Sequence, residues 1–492
     1  MNLLGIDVGT GGTRAVVVDR DGRVVATATE DHAPFASPHS GWAEQDPDDW
    51  WRACRIAVRA VLHTSGVQPS RIAAIGLSGQ MHGAVLLGER DDVLRPSLIW
   101  CDQRTGSQCR AITERLGAAR IIELTANPAL TAFTLPKLLW VREHEPEKWR
   151  LVRTVLLPKD HVRLRLTGER ATDAADASGT LLLDVANRRW SSAMLDVAEL
   201  DERVLPRVYE STDVTGRISA SGAAATGLAQ GTPVVAGAGD QAAGAIGMGV
   251  VRPGVVGATI GSSGVVFAAT DRPLYDRLGR VHTFCHAIPD RWHVMGVTQA
   301  AGLSLRWFRE RFGTRDDDGR DPFEQLCDEA AGAPPGAGGV LWAPYLLGER
   351  TPHLDPDARA ALVGLAASHG RPHVIRAILE GVAFGLRETF TIFDEMAVPV
   401  HAVRLGGGGA RAALWRQIQA DVFGREVDVP EAAEGGAYGA AILAAVGAGV
   451  WPTVDAACDA VVRVAHRVAP DAGATMTLDA RYTAFRALYG AL

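Results

Sequence analysis

Two aspartates each stand beside a glycine-rich segment, a pairing suited to holding and transferring phosphate. Asp7 ends the apolar run that begins at Leu3 and leads into Gly9-Thr10-Gly11-Gly12-Thr13; Asp240 follows Gly237-Ala238-Gly239 after an apolar run starting at Pro233. An aspartic acid has an unperturbed pKa of about 3.9, so both are ionised at neutral pH unless strongly desolvated. An ionised Asp at a strand end can hold Mg2+ directly or through water. It can also take the proton of an attacking hydroxyl. A lone Asp in such a place is as readily a plain turn former; the adjoining glycines are what favour chemistry.

The turn after Asp7 has a counterpart in the second half of the chain. Leu3–Asp19 reads LLGIDVGTGGTRAVVVD and Val255–Asp271 reads VVGATIGSSGVVFAATD. Aligned without a gap, Gly5 meets Gly257, Gly9 meets Gly261, Thr10 meets Ser262, Gly12 meets Gly264 and Asp19 meets Asp271. An apolar run, a Gly and hydroxyl turn and a second apolar run predict a β-hairpin with buried strands. Similarity at an offset of about half the chain predicts two related lobes. Successive backbone N–H groups in a Gly-rich turn form a concavity that binds anions. Thr10, Thr13, Ser262 and Ser263 are expected to add hydroxyl donors. Ordinary hairpins also use Gly, but a matched pair favours a polyphosphate gripped from both sides.

Ser78-Gly79-Gln80-Met81-His82-Gly83 follows a predicted strand at Ile72–Leu77 and sets a His and an amide on a Gly-flanked loop. Ligands usually sit at such strand ends. Gly406-Gly407-Gly408-Gly409 follows a predicted strand at Val403–Leu405 and lets a bulky ligand approach the backbone. It is not the dinucleotide fingerprint, and no G-x-x-x-x-G-K-[ST] occurs anywhere. Any use of ATP must therefore rest on hairpins and glycine turns.

The elements that position these residues alternate. Val24–Ala28 is expected as a third strand after the Asp21-Gly22 turn. Asp46-Pro47 starts a helix at about 48–62. Helical patterns recur at 371–387, 414–423 and 438–445, and Ala331–Gly339 reads as a Pro/Gly loop. The class is α/β throughout. A chain of 492 residues with 47% hydrophobic and 22% charged residues can bury real cores. Its length suggests about three domains, or two large ones. A net charge of −7 argues against a general nucleic-acid binder. No apolar run reaches the roughly 18 residues of a membrane span; Ala440–Val450 is short and broken by glycine. The N-terminal residues carry an early Asp and no basic region, unlike a signal peptide. The six cysteines lack any C-x-x-C and read as reduced thiols of a cytoplasmic protein. Their spacing gives no support for zinc.

Taken together, the segments resemble the FGGY family of carbohydrate kinases nearly end to end. The resemblance rests on GIDVGTGGTRAVVVD at Gly5–Asp19, GLSGQMHGAVLL at Gly76–Leu87, LPKDHVRLRLTGE at Leu157–Glu169 and TDAADASGTLLLDVANRRW at Thr172–Trp190. It continues through AGAGDQAAGAIGMG at Ala236–Gly249, IGSSGVVF at Ile260–Phe267, YLLGERTPHLDPDARAALVGL at Tyr345–Leu365, LGGGGARAALWRQIQADVFG and EGGAYGAA. The resemblance implies two duplicated actin-like (ribonuclease H-like) lobes around a central cleft. Residues 1–243 would form the first lobe, with the sugar site, the first phosphate loop and the catalytic Asp at its end. Residues 244–492 would form the nucleotide-binding lobe.

The same resemblance makes Asp240 the catalytic base and puts Asp7 near Mg2+ and the phosphates. Thr10, Gly12 and Arg14 match the first phosphate loop, Ser262 the second, and Gly302, Gly408 and Gly409 the glycines that border ATP. Met81 and His82 match the sugar-contacting segment, with Asp240 and Gln241 beside the sugar. The GQMHG segment points within the family to D-xylulose, phosphorylated by ATP at a primary hydroxyl. Gln241 stands where many such members carry Asn, which leaves ribulose, ribitol or glycerol as alternative acceptors. The GTGGT turn lacks a hydroxyl at Gly12 that some relatives have, which matters little if backbone N–H groups bind the phosphate. A non-catalytic actin-like ATP-binding protein is a further alternative, but would need neither the sugar loop nor Asp240. Trp100, Asp102 and Arg104 are candidates to close the pocket. The expected partners are a small sugar and ATP, with no nucleic acid and no membrane; a homodimer is left open.

Overall fold

The computed structural model describes residues 1–313, 320–432 and 435–492. Glu434, the first residue of the EGGAYGAA segment, lies outside them.

Both halves build the same mixed sheet. The first contains β1 (Asn2–Val8), β2 (Gly12–Asp19), β3 (Val24–Asp31), β4 (Ile72–Gly79), β5 (Val214–Arg217), β6 (Pro233–Val235) and β7 (Ala238–Gly239). Its order is β5-β6-β4-β1-β2-β3, with β7 beside the end of β4. The second contains β8 (Gly254–Ile260), β9 (Gly264–Thr270), β10 (His282–Cys285), β11 (Trp292–Thr298), β12 (Val400–Gly407), β13 (Val427–Pro430) and β14 (Val464–Val468), in the order β10-β11-β9-β8-β12-β13-β14. In each, an antiparallel hairpin (β1/β2, β8/β9) adjoins a parallel strand (β4, β12) on the side away from its turn partner. The repeat expected from the two windows is thus structural.

Helices cover the sheets. Those that matter for the site are α1 (Pro47–Ser65), α2 (Thr134–His144), α3 (Pro158–Thr167), α4 (Asp240–Gly247), α5 (Gly302–Phe312), α6 (Arg371–Glu395), α7 (Ala413–Phe423) and α8 (Gly435–Gly447). α1 begins as its sequence predicts: the Asp46 side chain accepts from the Asp48 N–H, Pro47 occupies the first turn, and Gly66 ends the helix at φ 64°.

Period-two alternation divides the first sheet into two apolar faces. Leu4, Ile6, Val8, Val17, Ile75 and Leu77 pack against Trp50, Cys54, Val58 and Val61 of α1. The opposite face, with Leu3, Val16, Val18 and Ala74, packs against Ala437, Ala441 and Ile442 of α8 and Ala242 and Ile246 of α4. A helix of the second half therefore lies on the sheet of the first. Close approach makes this work: a Cβ on Gly5 would sit 1.8 Å from the Ala437 carbonyl oxygen, and one on Gly439 1.7 Å from that of Ala243. The second sheet packs Val256, Ala258, Val266, Val294 and Leu405 against Ile378, Val382, Leu386 and Phe393 of α6.

All six cysteines are unpaired, and all but Cys101 are buried. Among the described residues, no helix is long and apolar enough to cross a membrane.

Candidate active site

The two aspartates meet at the carboxyl edge of the first sheet. Val8 of β1 pairs with Gly79 of β4, which pairs with Gly239 of β7. Asp7 stands one residue before that row on β1, and Asp240 one residue after it as the first residue of α4. Ser78 Oγ donates to Asp7 Oδ1 at 2.8 Å. Burial pushes the Asp7 carboxyl above its ordinary range, against the pull of that bond and of Arg14, its cross-strand partner. Asp240 is raised to about 7, first by burial and then by the negative charge of Asp7, with Gln241 opposing. Gln241 Nε2 donates to Asp240 Oδ1 at 3.2 Å. A half-buried carboxylate poised near neutrality can act as a base.

The loop after β4 reaches the same place. A Cβ on Gly239 would fall 2.7 Å from Met81 Cγ, so Met81 lies directly on the backbone that leads into Asp240. His82 takes φ 69°, in the left-handed region. Its Nδ1 donates to the Gly179 carbonyl at 2.7 Å. Burial, then the charge of Lys137, hold the imidazole well below its usual pKa. A neutral ring with its proton on Nδ1 leaves Nε2 as an acceptor for a hydroxyl.

Beside Met81 two of the quoted segments converge. Lys159 Nζ lies 2.6 Å from both Asp160 Oδ1 and Asp173 Oδ2 and 3.3 Å from Asp176 Oδ2, and all four side chains are fully buried. Arg163 adds a second cation at 2.5 Å from Asp160. Burial drives Asp176 well above its ordinary range, despite the pull of Lys159. Three carboxyls against two cations are consistent with one retained proton. The cluster abuts the Asp240 strand: a Cβ on Gly239 would lie 3.2 Å from Asp176 Oδ1. Sequence reasoning missed this role; three acids and two bases within the two segments were the only signal.

The first turn is a tight hairpin with the Gly9 N–H donating to the Gly12 carbonyl at 3.0 Å. The N–H groups of Thr10 and Gly11 have no partner among the described residues. The hydroxyls behave differently from expectation. Thr13 is fully buried, with its Oγ1 bonded to His32 Nε2 at 2.9 Å, so it offers nothing to a ligand. Thr10 Oγ1 accepts from Trp100 Nε1 at 2.9 Å and faces Gln80 Oε1 at 3.4 Å. β2 alternates inward and outward, which turns Thr13 into the core and Arg14 out to solvent. Gln45 Nε2 donates to the Thr10 carbonyl at 2.8 Å and fixes the turn from beneath. Trp100 is thereby a brace of the turn. Asp102 and Arg104 are spent on each other and on Glu44, with Arg104 stacked 3.5 Å over Trp42.

In the second turn, the Gly261 N–H donates to the Ser263 carbonyl at 2.9 Å, and the N–H groups of Ser262 and Ser263 are unpartnered among the described residues. The first N–H groups of α5, at Gly302 and Leu303, donate to the Gly261 and Ser262 carbonyls. Turn and helix start are thus one unit. They open on a cavity of about 260 Å³ lined by Ser262, Gly302, Gly408 and Gly409 among others. Thr10, Gly12 and Arg14 stand at the first turn and do not line it, while the other four of the seven residues expected at ATP share this one cavity. The close fit of glycine is plain at two of them: a Cβ on Gly302 would meet the Gly261 carbonyl oxygen at 2.3 Å, and one on Gly409 would meet Ile260 Cβ at 2.6 Å. Arg306, Phe323 and Trp415 also line the cavity and were not foreseen. Arg306 Nη2 donates to Ser262 Oγ at 3.0 Å. Its spacing of four from Gly302 puts both on one face of α5, a signal the sequence carried.

A divalent cation would have to be held mainly by Asp7. Among the described residues no group of three or more His, Cys, Asp or Glu side chains is placed to ligate a metal. Mg2+ commonly takes one or two carboxylates and completes its shell with phosphates and water, so a single acid fits it.

Known proteins resemble this chain over most of its length. Residues 2–247 match the N-terminal domain, and residues 256–448 the C-terminal domain, of the FGGY family of carbohydrate kinases. The chain is 40% identical over 470 residues to a xylulose kinase of Bacillus subtilis, covering 96% of this chain and 93% of that one. It is 41% identical over 446 residues to a xylulose kinase of Escherichia coli, covering 90% of each. The crystal structure of a kinase from Brucella ovis, described as a "xyloylose kinase", superposes with a TM-score of 0.92 at 36% identity, covering 100% of this chain and 99% of that one.

Proposed function

The chain belongs to the FGGY family of carbohydrate kinases, and we propose on that premise that it transfers the γ-phosphoryl group of ATP to O5 of D-xylulose, yielding D-xylulose 5-phosphate in cytoplasmic pentose catabolism. The observation that carries the reading is Asp240, raised to about 7 in part by Asp7, at the edge where β1, β4 and β7 end and with Met81 against the Gly239 that precedes it. Likeness to xylulose kinases over almost the whole chain supports the ketose.

The division of labour follows from the residues. Met81, His82 and Gln241 seat the sugar, with His82 Nε2 accepting a sugar hydroxyl. Asp240 orients the attacking hydroxyl and takes its proton as the new O–P bond forms. Phosphoryl transfer asks for in-line positioning and charge neutralisation more than covalent help. The unpartnered N–H groups of Thr10, Gly11, Ser262 and Ser263 are directed dipoles for the phosphate oxygens. Gly12 lets the chain turn, Arg14 adds positive charge, and Gly302, Gly408 and Gly409 give the nucleotide room. Asp7 would hold Mg2+, which supplies charge neutralisation when bound. The lobe boundary near residues 243 and 244 belongs to the same reading, and approach of the lobes would exclude water as a rival acceptor.

The test is sugar-dependent ADP release with ATP and Mg2+ across D-xylulose, ribulose, fructose, ribitol and glycerol. D-xylulose is expected to give the highest kcat/KM, and Asp240→Ala to lose at least about a hundredfold of the rate, the scale of a positioned base. Preference for glycerol or ribitol would transfer the reading to the acceptor class that Gln241 admits. Near-normal turnover in Asp240→Ala would remove the base role.

A further inference from the structure

Lys137 is fully buried near the start of α2, and among the described residues no ion pair reaches it. Its Nζ donates to the His82 carbonyl at 2.9 Å and to the Ala132 carbonyl at 2.5 Å. Thr134 Oγ1, one turn earlier on the same helix, donates to the same His82 carbonyl at 3.1 Å. Phe133 meets the His82 ring edge-on with centroids 5.1 Å apart. One short stretch of chain therefore grips one residue from several sides. That residue holds a backbone conformation that a side chain of its kind seldom adopts.

We propose that Lys137 is a positioning residue for sugar binding: its ammonium pins the His82 carbonyl and so fixes the loop that presents His82 and Met81 to the acceptor. The inference rests on the functional reading above and extends it to a residue with no sugar contact of its own. A charged donor makes roughly twice as strong a hydrogen bond as a neutral one. The hold is therefore strongest while the amine is protonated. Burial lowers the Lys137 pKa to about 7, and the charged and titratable groups that face it are Asp102, Cys101, Arg350 and Cys109. Of these, Asp102 favours the ammonium and Arg350 opposes it. The imidazole of His82 stays neutral through this range.

The experiment compares wild type, Lys137→Met, Lys137→Arg and Thr134→Val. In Lys137→Met the KM for D-xylulose should rise about tenfold or more, the scale of losing a charged hydrogen bond, while the KM for ATP stays within about twofold. In wild type the sugar KM should climb several-fold as pH rises through 7, and that climb should vanish in Lys137→Arg, whose side chain keeps its charge. Thr134→Val should shift sugar KM in the same direction by less, and serves if either lysine variant does not fold. Hydrogen exchange of the segment 79–87 reads the same hold with no sugar present: it should quicken in Lys137→Met more than in the second sheet. A chain that turned over no ketose would sink the functional reading and leave this one to be decided by exchange. Equal rises in both KM values, an unchanged pH dependence in Lys137→Arg, or exchange in 79–87 no faster than elsewhere would each overturn it.

Discussion

At the scale of single residues, the site is governed by how burial sets charge. Asp240 must be ionised to accept a proton, and its pKa stands raised to about 7. Activity is therefore expected to fall as pH drops through 7, and kcat/KM profiled against pH checks it. Part of the elevation comes from the negative charge of Asp7. Asp7→Asn should move the surviving limb toward lower pH while lowering the rate and raising the Mg2+ requirement. A limb that stayed in place would mean that the two carboxyls do not sense each other.

Three buried histidines matter in the opposite way. Burial lowers His282 to about 3 and His286 to about 4, and holds His293 well below its usual range. Each is neutral when folded and binds a proton on unfolding once pH falls below about 6.5. The stability they confer is complete above that value and is lost as pH falls through the window toward their folded pKa. From pH 7 to 5 the loss is about 2 kcal/mol for His282 and for His286, at about 1.4 kcal/mol per unit, and His293 acts in the same direction. His293 stacks on Phe267 at 4.1 Å, and among the described residues neither ring nitrogen finds a well-formed partner. His293→Leu should raise the melting temperature and flatten the acid limb, because it removes a desolvated imidazole without opening a large void. Urea titrations at pH 7 and 5 check both; a destabilised variant with an unaltered acid limb would contradict the account.

At the scale of elements, much was legible and the failures are instructive. The two hairpins were readable because alternation and glycine turns are local, and β1/β2 and β8/β9 form where expected. α1, α6 and α7 were likewise readable, although α1 runs on to Ser65 and α6 to Glu395, while α7 matches its pattern to within one residue. The strand ends that carry Asp7 and lead into Asp240, and the loop that carries Met81 and His82, were readable because apolar runs mark where strands stop. Thr13 was misjudged because the turn was read for hydroxyls without following which face of β2 each residue takes. The buried cluster of Lys159, Asp160, Asp173 and Asp176 was invisible because ion pairing across segments leaves no periodic mark.

The same holds for α8. Its small residues announce a helix, but that it lies on the other half's sheet is a tertiary fact. Contact there is backbone to backbone, so Gly439→Ala should force α8 and α4 apart and destabilise by about 3 kcal/mol, the upper end for overpacking. Gly490→Ala, with nothing near its added carbon, should be neutral or slightly stabilising. Equal melting temperatures for the two variants would deny the tight crossing.

At the scale of the whole molecule, the ligand sites belong to different sheets, and α4 and α8 join those sheets at one crossing. In the reading proposed above, the nucleotide would sit beside α5 and α7 and the sugar beside β4 and β7. Each ligand alone should stabilise the chain by mass action, by about 2.7 kcal/mol at a hundred times its Kd. If both bind across one closing cleft, the pair should stabilise by more than the sum, and thermal melts with sugar, a non-hydrolysable nucleotide and both together measure it. Strict additivity would indicate that the lobes do not move together.

The placement of α8 also governs how the protein must be born. The strands between Asn2 and Gly239 leave the ribosome with Leu3, Val16, Val18 and Ala74 only partly covered on one face, because of the two helices that pack there α4 follows at once but α8 ends at Gly447. Until almost the entire polypeptide has been translated, that nascent surface stays greasy and exposed to chaperones and proteases. A gene truncated anywhere between those points should yield an insoluble fragment, and co-expressing the missing piece should rescue it only if that piece includes the helix.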